Sequence, residues 1–233
     1  MALLEPFLSD LGLTRRVPRR AGSVVKHTGL SALSSIHEST TAMVVAERML
    51  PTELPRWLAA WVPHAPHVDT KVNAEADLTD LAPLFRGLPP GPFREWLEAD
   101  VQAMIRTFAR VADISRFRMV AGPVFNDSCR RFHIDHLRLR LITTYVGPGT
   151  EWVDESNADF TALDHPESCD CENPPSLVRD TEKVHRAKAG DVLLMKGDLY
   201  SNDLRGQVHR SPPIEGTSLT RYVVVLTLPG RFS

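Results

Sequence analysis

The sequence predicts an α+β protein: a mainly helical N-terminal portion over residues 1–113, packed against an all-β domain over residues 114–233. Three observations carry this. Apolar residues recur at helical spacing in two stretches before residue 113. After it the hydrophobic period falls to two, and the later apolar runs are short and broken by Gly and Pro. A chain of 233 residues with 42% apolar content can bury a sizeable core.

Taken in order, the first twenty residues place Arg15, Arg16, Arg19 and Arg20 after a short apolar stretch interrupted by acids. This is the wrong order for a secretory signal and the pattern of a solvated terminus. A strand is expected over 42–45 and another over 67–72. Residues 52–62 predict a helix with Thr52 as its cap and Leu54, Leu58 and Trp61 on one face. Residues 92–112 predict a longer one, with Pro92 in its first turn and a stripe of Phe93, Trp96, Leu97, Val101, Met104, Ile105 and Phe108. Trp57, Trp61 and Trp96 go to the core. Strands are then expected over 117–124, 137–146, 191–196 and 219–228, which suggests a sandwich or barrel and not βαβ units. The polar stretch 154–181, with His165, Cys169, Cys171 and Pro174-Pro175, reads as a lid or an insert.

The formal charge of −2 argues against a general nucleic-acid binder. No apolar run approaches the ~20 residues needed to span a bilayer. Three cysteines do not make a disulfide framework, and a reducing cytoplasm is the expected location. A Gly-rich phosphate loop, a Gly-x-Ser-x-Gly elbow and His-Glu-x-x-His are all absent from the sequence.

The chemistry gathers downstream. His133 and Asp135 are two apart, so on a strand they share a face. His209 ends a strand before a Pro-Pro turn, and Arg221 lies on a strand whose same-face neighbours are Val223, Val225 and Thr227. Two histidines and one carboxylate that leave half an octahedron open are the ligand set of non-haem Fe(II) oxygenases. A buried hydrogen-bonded His–Asp pair is the alternative for His133 and Asp135. A buried arginine needs a partner, either a bound carboxylate or a structural Asp or Glu, unless Arg221 faces solvent. His136 should face away from the site. Cys129 reads as a small core residue, and Cys169 and Cys171 as surface thiols. Trp152, after Gly147-Pro148-Gly149, is placed at a pocket rim where it could touch substrate, and Arg140, on the strand that follows the His-x-Asp pair, is expected to bind substrate with it.

This order of parts resembles the double-stranded β-helix (jelly-roll) Fe(II)/2-oxoglutarate dioxygenases, especially the prolyl-hydroxylase-like and phytanoyl-hydroxylase-like groups. The resemblance implies that His133, Asp135 and His209 bind Fe(II), that Arg221 holds the 2-oxoglutarate side-chain carboxylate, and that Tyr145 assists. It covers the C-terminal half and departs at Met195 and Lys196, where the oxygenases tend to have an aromatic. Over most of the chain, the phrases FHIDHLRLRLITTYVGPGTEWV, GDVLLMKGD and VHRSPPI resemble the bacterial DUF 1826 group. That family's association with zinc-homeostasis genes implies a second reading, a Zn(II)-handling protein using the same pocket. Either way the partner is a small molecule or peptide, with no nucleic acid and no membrane. A cupin-like binding module without redox chemistry is a third reading.

Overall fold

Pro92, whose missing N–H costs nothing in a helix's first turn, starts the longest helix, and its apolar stripe decides which way that helix faces. The structure is a computed structural model that describes residues 19–126, 129–160, 178–201 and 203–230. Its helices are α1 (Leu54–Trp61), α2 (Leu78–Leu81) and α3 (Pro92–Ala112). Its strands are β1 (Ser23–Thr28), β2 (Thr41–Glu47), β3 (Val68–Asn73), β4 (Arg116–Val124), β5 (Leu139–Val146), β6 (Glu151–Trp152), β7 (His185–Arg186), β8 (Val192–Lys196), β9 (His209–Arg210) and β10 (Arg221–Leu228).

Helix α3 has the expected bounds, and Leu97, Val101, Met104, Ile105 and Phe108 are its buried face. It ends in a Schellman arrangement: Asp113 is left-handed (φ 51), its N–H bonds the Arg110 carbonyl, and the Ile114 N–H bonds the Ala109 carbonyl. Helix α1 begins two residues later than expected and without a Thr52 cap. The Leu54 N–H turns back onto the Pro51 carbonyl, and Pro55 fills the first turn without an N–H to satisfy.

Seven strands form one sheet in the order β1-β2-β8-β5-β10-β4-β3, antiparallel except for the β1–β2 pair. The second sheet, β7-β6-β9, is built from two-residue strands. The large sheet takes strands from both sides of residue 114. Arg19 and Arg20, expected in a solvated terminus, are tied down by backbone bonds of Arg20 to Asp203 and Arg205 and by Arg19 Nη1 on the Asp198 carbonyl.

The period-two pattern sorts side chains to the large sheet's two faces. Leu139, Leu141, Tyr145, Leu194, Val224 and Leu226 join α1 and α3 in the main core, where Phe108 meets Phe117 edge to face at 4.9 Å. The intervening residues, Met43, Val45, Leu193 and Met195 among them, face the small sheet. One buried carboxylate binds that small sheet's three strands: Glu151 on β6 accepts Arg186 Nε from β7 at 2.9 Å and Arg210 Nε from β9 at 2.7 Å. The described part of the 154–181 stretch is anchored by Asn157, whose side chain bonds the backbone of Asp180 and Lys183. His165, Cys169, Cys171 and Pro174-Pro175 lie outside the described residues. Among the described residues, no helix is long and apolar enough to cross a membrane.

Candidate metal centre

His133 and His209, far apart in sequence, are directly opposed across a β-bridge, each donating its N–H to the other's carbonyl at 3.0 Å. Cross-strand partners project to one side of a sheet, so the two rings meet, with centroids 4.6 Å apart. Asp135 is not on a regular strand as expected; it sits in the turn between this bridge and β5. Glycine places that turn. A Cβ on Gly197 would collide with the Leu137 carbonyl and come within 2.5 Å of the Asp135 carbonyl, and the Asp198 N–H bonds that same Asp135 oxygen at 3.0 Å. His133, Asp135 and His209 thereby bring potential ligand atoms within 4.8 Å of one another.

The protonation pattern fits a cation. His133 Nδ1 lies 2.8 Å from the Arg131 carbonyl and His209 Nδ1 3.0 Å from the Gln207 carbonyl. A nitrogen facing a carbonyl must carry the proton, so the neutral rings present their Nε2 lone pairs inward. Each Nε2 is 3.4 Å from an Asp135 oxygen, and Oδ2 is buried without a hydrogen-bond partner. The donor set therefore suits a divalent ion held by two imidazoles and a carboxylate. Burial alone would raise the Asp135 carboxyl, but His133, His209 and Arg140 outweigh it and hold it far below the usual carboxylate range. Burial likewise disfavours the charged His133 ring, yet the Asp135 carboxylate and Arg131 carbonyl keep its pKa above the ordinary value.

His133 and His209 open onto a cavity of about 210 Å³ lined also by Arg140, Arg221, Ile142, Val223 and Val225, with Asp135 behind its wall, bonded to Arg140. Arg221 is 2% exposed, so the solvent-facing alternative does not hold. Its Nη2 donates to Thr144 Oγ1 at 3.2 Å, and its buried Nε has no hydrogen-bond partner. Burial lowers its pKa from 12.5 to about 10, partly opposed by Glu151. Arg140 lines the cavity with Nη1 on Asp135 Oδ1 at 2.7 Å.

Three expectations need correction. Tyr145 is on the sheet's other face, buried in the main core, and its hydroxyl donates to Asp100 at 2.7 Å. An odd residue spacing from Arg140 along one strand puts the two on opposite faces. Trp152 is 2% exposed and not at a rim; it packs with Met43, Val45 and Leu193 and stacks on His185 at 5.4 Å. Cys129 is exposed and lines the cavity, because its segment runs beside Ser211 and not through a core. His136 is outward, bonded to Asp198 at 2.9 Å, as expected. Sequence reasoning missed His67, which also lines the cavity. The signal was Gly122 inside β4: its missing Cβ, which would lie 3.0 Å from His67 Cα, lets the chain before β3 cross over the strand.

Comparison with known proteins adds the following. A family model described as "Protein of unknown function (DUF1826)" matches residues 27–227. No curated protein matches the chain. The fold is similar to the dioxygenase for auxin oxidation of rice, at 14% identity over 89% of this chain and 83% of that one, with a TM-score of 0.45. It is also similar to dioxygenase for auxin oxidation 1 of Arabidopsis thaliana in a 2-oxoglutarate complex, at 10% identity over 91% and 93%, TM-score 0.43. A prolyl-4-hydroxylase of Pseudomonas putida is similar at 11% identity over 90% and 99%, TM-score 0.43.

Proposed function

The chain belongs to the DUF1826 family, defined only as proteins of unknown function, and from its site we propose that it is a non-haem Fe(II), 2-oxoglutarate-dependent oxygenase. The observation that carries this reading is that one cavity brings His133 and His209, with Asp135 within ligand distance of both, together with the buried, incompletely bonded guanidinium of Arg221. We read the two facing sheets as the walls of a jelly-roll barrel with this site between them. His133, Asp135 and His209 would hold iron, and Arg221 would take the far carboxylate of the 2-oxoacid through a charge-assisted bond, with Thr144 beside it. Bound iron would supply the activation of dioxygen, while the 2-oxoacid supplies electrons by its oxidative decarboxylation.

The chain's own residues do the rest. The Arg131 and Gln207 carbonyls fix both imidazole tautomers, so neither Nε2 carries a competing proton when the rings are neutral. Val223, Val225 and Ile142 give the cavity apolar walls, which exclude water and strengthen the guanidinium–carboxylate attraction. The substrate is a small molecule or peptide that approaches the same cavity.

The test is anaerobic titration of Fe(II)-loaded protein with 2-oxoglutarate, followed by visible absorbance. A weak charge-transfer band is expected with the wild type and should be lost in His209→Ala. Stoichiometric Zn(II) retained through purification, with no band and no 2-oxoglutarate consumption, would overturn the oxygenase reading in favour of a zinc-handling protein.

A further inference from the structure

A carboxylate has two oxygens, and a cation beside it can take one or both. What surrounds Asp135 is unequal. Oδ1 accepts Arg140 Nη1 at 2.7 Å, whereas the buried Oδ2 accepts no hydrogen bond. The Arg140–Asp135 pair is sheltered, with side chains 26% and 9% exposed. A charge-assisted bond in such a place is much stronger than a surface ion pair. Arg140 is also paired on both sides at its base. It sits in β5 between Met195 of β8 and Thr227 of β10, inside the large sheet, while Asp135 is in the turn outside it. The arginine therefore reaches from the rigid layer to the less regular one.

We infer that Arg140 is a positioning residue, which occupies Oδ1 of Asp135 so that Oδ2 alone is offered to the metal. The inference rests on the metal-centre reading above and deepens it. If both oxygens bound the cation, they would use a position that a chelating 2-oxoacid requires. Arg140 thus governs cosubstrate binding more than metal binding, a division of labour that the two histidines do not share.

The experiment uses Co(II) as the metal probe with full-length wild type, Arg140→Met and Arg140→Lys, reading Co(II) affinity by calorimetry, the Co(II) visible spectrum, and 2-oxoglutarate affinity of the loaded protein. Arg140→Met should keep Co(II), change its spectrum, and bind 2-oxoglutarate about tenfold or more weakly. Arg140→Lys, which retains a charged donor, should restore most of both. An unchanged spectrum with unchanged 2-oxoglutarate affinity in Arg140→Met would overturn the positioning role alone, as would loss of Co(II) itself with no recovery in Arg140→Lys. If Arg140→Met does not fold, Arg140→Gln replaces it, with a weaker change in the same direction expected and a wild-type spectrum and affinity overturning the role. Failure of the wild type to bind Co(II) or Fe(II) would instead remove the metal-centre reading on which the role rests.

Discussion

Replacing Arg221 with methionine should make the ligand-free protein more stable and leave it unable to respond to 2-oxoglutarate. Arg221 is 2% exposed, and the nearby Glu151 is already bonded to Arg186 and Arg210. Its pKa falls from 12.5 to about 10, chiefly through burial. A cation whose folded pKa is depressed is disfavoured at every pH below that value, and the cost fades only as pH rises from about 10 towards 12.5. The depression corresponds to about 3 kcal/mol. Methionine fills a similar length without charge but forfeits the Thr144 bond, worth about 1 kcal/mol. The net gain near neutrality is then about 2 kcal/mol, or roughly 4–8 °C in Tm for a chain of this size. Scanning calorimetry under nitrogen measures it, with and without Fe(II) and 2-oxoglutarate. At a hundred times Kd the cosubstrate should stabilise the wild type by about 2.7 kcal/mol and the variant not at all. A variant that melts lower than the wild type would refute the reasoning. Truncating one member of a satisfied buried ion pair costs about 3–5 kcal/mol, so that result would mean Arg221 already has its partner within the protein.

Two further outcomes follow from the same geometry. Tyr145→Phe should cost about 1–2 kcal/mol of stability through the lost bond to Asp100 and leave 2-oxoglutarate affinity unchanged, because the hydroxyl lies behind the sheet; a weakened cosubstrate affinity by calorimetry would contradict that placement. The raised pKa of His133 makes metal affinity pH-dependent. Its contribution to metal-free stability is complete below the ordinary value of 6.5 and is lost as pH rises through the elevated one, whereas metal needs the deprotonated ring. Metal affinity should therefore fall about tenfold per pH unit below that pKa. Melting curves from pH 5 to 8, with and without metal, should diverge with rising pH; parallel curves would refute the ligand role of His133.

How much of this was legible in the sequence depends on whether the signal was local. Helix α3 was found to the residue because both its apolar stripe and its opening Pro92 are written in consecutive positions. The strands β4 and β5 showed themselves by alternation, and β8 and β10 as short apolar runs between turn residues, for the same reason. β1 did not: SVVKHT is largely exposed and carries no alternating pattern. The two-residue strands β6, β7 and β9 are too short to have a period at all. The site was legible as residue types, but its assembly depends on the non-local bridge between His133 and His209, which no window of sequence contains. Tyr145 was misplaced although the information was present, since its odd spacing from Arg140 already assigns it to the opposite face. The fate of Trp152 was not written locally, because only the packing of β6 against β2 and β8 buries it.

The small sheet has a consequence for how the protein breathes. Its strands share few backbone bonds, and Glu151 does much of the fastening, so this layer is the natural first unit to come loose while the seven-stranded layer stays shut. His209 travels with it. His133 moves with His209 through their shared bridge, so an ion held by both rings and Asp135 would pin this layer to the segment that leads into β5, and amide hydrogen exchange at residues 208–210 would slow as it binds.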